Sequence, residues 1–103
     1  MVKWPDVEED VTCFVCGAPA AELHHCLVPQ YKRYGAWVHH PCNLMPVCVA
    51  DHRGNGAAKS YVTRMRWIAE QDKTELIAWL DAAPAAAWTR VAEIRRLVDA
   101  NIR

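Results

Sequence analysis

The residues best equipped for chemistry in this chain are three histidines and three cysteines. His24 and His25 stand side by side at the end of "AELHH", and His52 follows in "VCVADH". Imidazole has an unperturbed pKa of about 6.5, so its neutral form can take a proton or hold a metal near pH 7. A histidine that binds metal through one nitrogen has committed that lone pair and is a poor base. Side chains alternate faces along a strand, so adjacent histidines share a site only where the strand ends or bends. There the pair can split two tasks, one as ligand and one as proton acceptor.

The cysteines have a different character. "CFVC" places Cys13 and Cys16 ahead of Gly17, a C-x2-C-G turn that presents two thiolates to one ion. Zinc wants four donors, and Cys48 supplies a third. The fourth is Asp51, which keeps the x2 spacing, or His52, a softer ligand at x3 spacing. A thioredoxin-like redox pair would sit between a strand and a long helix. Here the pair follows an acidic lead-in and precedes turns, so zinc is the expected partner. Cys26 and Cys42 are left over and read as small buried residues.

Positioning these groups falls to three stretches. Residues 1–12 read as an acidic lead-in, residues 13–56 as turns and short strands, and residues 57–103 as about three helices of the same domain. The strands are "AELHH" and "NLMPV", residues 43–47, with Pro46 confining the second to a sheet edge. Residues 26–42 form a long loop, and His52 falls in the first turn of a helix. His39 and His40 read as polar loop residues outside the site, and Gly54-Asn55-Gly56 as a turn. The first helix is expected from Ala57 to Glu70, with Ala58, Tyr61, Met65 and Ile68 facing the core. The second starts at Asp72, whose spacing to Glu75 is a capping box. The third starts near Pro84, with Trp88, Val91, Ile94 and Val98 in register. These stripes serve a plain core or a dimer face.

C-x2-C, then His-His, then N-L-x-P-V-C, then His over residues 13–56 resembles a zinc-stapled HNH endonuclease of the ββα-metal (His-Me finger) type, especially the small stand-alone proteins of bacteria and phages. The resemblance implies an α+β fold: a small zinc-bound, treble-clef-like ββα-metal core followed by helices. It gives His24 and His52 the catalytic divalent ion (Mg2+, Mn2+, Ni2+ or Zn2+) and His25 the role of general base. Asn43 takes the middle letter, which ligates the ion in some members and ties down the long loop in others. Cys13, Cys16, Cys48 and Asp51 are the implied structural zinc ligands. Asp51 stands where the family usually has Cys or His. The implied activity is metal-dependent hydrolysis or nicking of DNA; the alternative is an inactive zinc-stapled module that binds DNA or a protein. Phage DNA-packaging or recombination proteins are the partners such relatives suggest.

Charge distribution agrees with an anionic ligand. The chain of 103 residues has zero net charge, but residues 31–66 carry Lys32, Arg33, Arg53, Lys59, Arg64 and Arg66 against Asp51 alone. Lys32, Arg33, Arg53 and Lys59 are the expected DNA contacts, holding phosphates without reading sequence. Five cysteines cannot all pair within the chain, and neither a signal peptide nor an apolar run of about 20 residues is visible. A cytoplasmic protein with reduced thiols and no membrane contact is expected.

Overall fold

The computed structural model describes residues 11–102 of the chain, the side chain of Ile102 excepted. The first ten residues of the acidic lead-in lie outside the described residues; its last residue, Thr12, forms an antiparallel bridge to Pro19. The architecture is mixed α+β. Strands β1 (Glu22–His25) and β2 (Leu44–Val47) form a two-stranded antiparallel sheet in which His24 faces Met45 and His25 faces Leu44. Three α-helices follow: α1 (Tyr61–Glu70), α2 (Lys73–Asp81) and α3 (Trp88–Ile102). Among the described residues, no helix is long and apolar enough to cross a membrane.

So small a sheet is marginal alone, and it is lashed to its surroundings through backbone groups. Phe14 N donates to Pro46 O at 2.9 Å and Ala21 N to Val47 O at 2.9 Å, which fastens the cysteine turn to β2. Pro46 offers no N–H but still accepts, which suits an edge position. One core then joins both halves of the chain. Val28, Val38, Met45 and Val47 from the first half pack with Ile68, Leu76, Leu80 and Ile94 from the second. Cys26 and Cys42 are buried in it, as their type suggests.

The stretch between the strands is more ordered than a long loop. Residues Lys32–His39 form 3-10 turns interrupted at Gly35, whose φ of 62° the missing Cβ permits, and Pro41–Asn43 forms another. Asn43, fully buried, holds this segment in place. Its Oδ1 accepts from the backbone N–H groups of Leu27 (2.9 Å) and Val28 (2.8 Å), and its Nδ2 donates to the carbonyls of Val28 (2.9 Å) and Val38 (2.8 Å). One amide thereby satisfies four buried backbone groups that no strand partner reaches. Trp37 and Trp79 lock the segment to α2. Their rings stack at 4.4 Å and each indole N–H donates to the other residue's carbonyl at 2.8 Å.

In the helical half, two apolar expectations are corrected. Tyr61 is exposed, and Thr63, Trp67 and Ile68 form the buried face of α1 instead. The reason is a break at Ser60. Residues Ala57–Lys59 make a separate turn, and Ser60 Oγ caps α1 by accepting from Thr63 N at 3.1 Å, so the helical phase restarts there. Trp88 is likewise exposed, because a 3-10 turn over Ala85–Ala87 precedes α3 and buries Ala87. The cap at Asp72 forms as expected, its carboxylate accepting from Glu75 N at 3.1 Å. Val91, Ile94 and Val98 of α3 are spent on the core rather than held out as a dimer face.

Removing the Asn43 amide strands four backbone groups. Asn43→Ala is expected to lower the stability of the metal-loaded protein by about 3 kcal/mol, at roughly 1–3 kcal/mol per unsatisfied buried group with partial relaxation. Asn43→Asp should do no better, because it loses both donors and buries a charge. Urea unfolding followed by tryptophan fluorescence measures both.

Candidate metal and histidine sites

The thiol cluster joins two distant turns. Cys13 and Cys16 come from the C-x2-C-G turn, where Gly17 has φ of 81° and Gly17 N closes the turn on Cys13 O at 2.9 Å. Cys48 and Asp51 come from the end of β2 and the π-helical turn Ala50–Gly54. One donor atom from each of the four residues lies within 4.8 Å of the others. Asp51 Oδ2 is 3.2 Å from the sulfurs of both Cys13 and Cys48, and Cys16 Sγ is 3.7 Å from Cys48 Sγ. Tetrahedral zinc with bonds of about 2.3 Å to sulfur and about 2.0 Å to oxygen implies roughly 3.8 Å between sulfurs and 3.5 Å between sulfur and oxygen.

The electrostatics also ask for a cation. The Asp51 carboxylate pushes the Cys16 thiol up to about 12. Asp51 itself is held well below the usual carboxylate range by the thiol of Cys16, the Asn55 amide and the other two thiols. Burial pushes the Cys13 thiol up, but the backbone N–H groups of Cys16, Cys48 and Val15 outweigh it and the net shift is downward. A carboxylate and three thiols crowded in this way can ionise together only around a positive ion. The four residues could therefore hold a metal ion. Asn55 braces the arrangement: its Nδ2 donates to Asp51 Oδ1 at 3.0 Å and its Oδ1 accepts from Ala57 N at 2.8 Å.

Asp51 and its neighbour His52 point different ways. While Asp51 turns into the thiol cluster, the His52 ring lies 4.8 Å from the ring of His24, centroid to centroid. His52 Nδ1 is 2.9 Å from Glu22 Oε1. Glu22 is buried, and it also receives Arg53 through Nε at 3.0 Å and Nη2 at 2.7 Å. The hydrogen bond from His52 and the pairing with Arg53 hold the Glu22 carboxyl below its ordinary value against the cost of burial. An ionised carboxylate can only accept, so His52 Nδ1 is the donor, which fixes the tautomer of the neutral ring with its lone pair on Nε2. A carboxylate behind a histidine is a common support for metal ligation. Burial, with the nearby His52, Lys59 and His25, pushes His24 down to about 4, which keeps it in the neutral, ligating form.

His25 faces elsewhere. Its Nε2 lies 3.0 Å from His39 Nδ1, so one of the two nitrogens donates and the other accepts. Burial, then the neighbouring His39 and His52, push the His25 pKa down, leaving a neutral imidazole. His39 is a residue that the spacing reading left out of the site. Its approach depends on the turns of residues 32–39, whose direction no short motif encodes. Asn43 does not join the histidines; its amide is used up on the backbone of the segment between the strands.

The expected DNA contacts divide. Lys59 lines a cleft with His24 and His25. Lys32 is exposed and borders a separate cleft with His39. Arg33 lies over the rings of Tyr31 and Tyr34, 4.7 and 5.1 Å from their centroids. Arg53 pairs its guanidinium with the buried Glu22 carboxylate. Comparison of the chain with family models, with curated proteins and with solved structures gave no match.

If the thiol cluster holds zinc, purified protein contains one zinc per chain, and Cys13→Ser abolishes it. Asp51→His retains the ion and Asp51→Ala weakens binding, because a neutral nitrogen replaces an oxygen donor and methyl does not. A zinc chelator should unfold the protein in the same assay. Metal analysis after gel filtration and thermal melts with and without chelator measure these outcomes.

Proposed function

We propose that this chain is a metal-dependent HNH-type endonuclease that hydrolyses or nicks DNA on a zinc-stapled, treble-clef-like core. The supporting observation is the convergence of His24 and His52, 4.8 Å apart and backed by Glu22, with His25 at the same strand end. His24 and His52 are the residues that would hold the catalytic divalent ion. Such an ion, when bound, supplies charge neutralisation on the scissile phosphate and eases departure of the leaving oxygen.

The chain's own residues do the remaining work. His25 is neutral and takes the proton from the attacking water. Once protonated, it carries hydrogens on both nitrogens, so Nε2–H donates to His39 Nδ1, which must then accept. His39 is thus a positioning residue that orients the ring of the base. Glu22 fixes the His52 tautomer, and its charge is balanced by Arg53 rather than left to oppose an incoming phosphate. The thiol cluster keeps the His52 turn against the sheet.

Supercoiled plasmid incubated with Mg2+, Mn2+, Ni2+ or Zn2+ tests the proposal. Wild type should nick. His25→Ala should be slower by about 100-fold or more, the usual scale of a general base, with zinc content and fold intact. His24→Ala and His52→Ala should remove the dependence on added ion. DNA binding without nicking under any of these ions would instead mark an inactive zinc-stapled module, and equal rates in wild type and His25→Ala would mark a contaminant.

A further inference from the structure

A cleft of about 190 Å3 opens beside the two adjacent histidines. It is lined by His24 and His25 of β1, by Cys26, by Lys59, and by two arginines from the helical half, Arg64 of α1 and Arg90 of α3. A water's share of liquid volume is about 30 Å3, so the cleft holds a group several times larger. Three cations meet there and none of the lining residues is acidic. The arginines also lie outside the motif stretch, so their convergence is a product of the tertiary fold.

Arg64 gives the cleft its chemical preference. Its Nε is buried and, among the described residues, has no hydrogen-bond partner. A buried guanidinium N–H without an acceptor is unfavourable in a folded protein. Packing alone does not require an arginine at this position of α1. Arg64 lines the cleft, and its guanidinium fork matches phosphate geometry. Arg90 has one carboxylate nearby, Glu93 Oε2 at 3.5 Å, on the same face of α3 and largely exposed. Such a pair is weak and yields readily to a stronger anion.

We propose that this cleft is a phosphate subsite, in which Arg64 and Arg90, with Lys59, hold a backbone phosphate of the nucleic-acid strand that the histidines act upon. The inference rests on the endonuclease reading for the identity of its ligand. It makes α1 and α3 part of the substrate surface as well as of the core.

The test is equilibrium binding of a fluorescently labelled DNA duplex to the zinc-loaded full chain, without added catalytic ion, over a range of salt concentrations. Each phosphate contact contributes about 0.9 to the slope of log K against log salt. The double variant Arg64→Gln/Arg90→Gln should reduce the slope by about one, each single variant should reduce it in part and weaken binding at low salt, and Arg64→Lys should restore most of the slope. Arg96→Gln, an exposed residue of α3 away from the cleft lining, should leave it unchanged. An equal loss in Arg96→Gln would overturn the proposal, since net charge alone would then explain it. An Arg64-dependent rise in thermal midpoint with inorganic phosphate, without any effect on the DNA slope, would overturn the nucleic-acid assignment. Should Arg64→Gln fail to fold by circular dichroism and zinc content, Arg90→Gln decides. Because the readout is binding, a chain that nicks with an unchanged slope loses only the subsite, and one that shows the slope change but never nicks loses only the nuclease.

Discussion

The meeting of Cys13, Cys16, Cys48 and Asp51 is the constraint on which the rest of the structure depends. It ties the turn before β1 to the turn after β2, and so closes a frame around a sheet of two four-residue strands. A sheet of that size contributes little alone. Without the frame, Glu22, His24 and His25 on β1 would have no fixed relation to His52, which belongs to a turn beyond β2. The π-helical turn carries the consequence. Its backbone sends Asp51 inward to the thiols and the next side chain, His52, out to Glu22 and His24. One short turn is shared between the fastening and the histidine pair. π-turns often mark such places, because their irregular geometry aims side chains where an α-helix cannot.

Two buried polar residues complete the positioning, and they do so in opposite ways. Asn43 is neutral and saturated, with four hydrogen bonds to backbone groups of the segment between the strands. It fixes a shape and presents nothing outward. Glu22 is charged, and burying it alone would be costly. It is kept ionised by His52 and Arg53. Those two contacts offset the cost, and the first also fixes the hydrogen on His52 Nδ1. His39 and His25 form a second polar contact across the sheet end, so the two adjacent histidines of β1 each meet another histidine in a different direction.

What the sequence revealed followed the range of the interaction responsible. The Cys13–Cys16 turn, the Asp72–Glu75 cap and the two short strands rest on neighbours or on simple alternation, and each was legible. Spacing left Asp51 and His52 open as the fourth donor, and the turn after β2 places Asp51 beside the thiols. Tyr61 and Trp88 were misplaced because the helical phase is reset at Ser60 and after Ala87, by events one residue wide. Arg53 looked like any other cation in a basic stretch, since its partner Glu22 is remote in sequence. The surroundings of His39, Arg64 and Arg90 were not legible for the same reason: tertiary packing alone decides what they face. Pairwise contact across the fold, not residue type, separates the cations that balance a buried acid from those that line an open cleft.

The donor sets argue for a lasting difference between the two candidate sites. Three sulfurs and one oxygen form a complete tetrahedral set with soft ligands, the kind that closes around zinc and leaves no coordination position for water. Two imidazoles make an incomplete set, whose remaining positions must be filled by water or substrate oxygen, and nitrogen donors accept a wider range of first-row ions. The fold turns adjacent residues apart at Asp51 and His52, so the thiol cluster and the histidine pair are separated by one peptide bond.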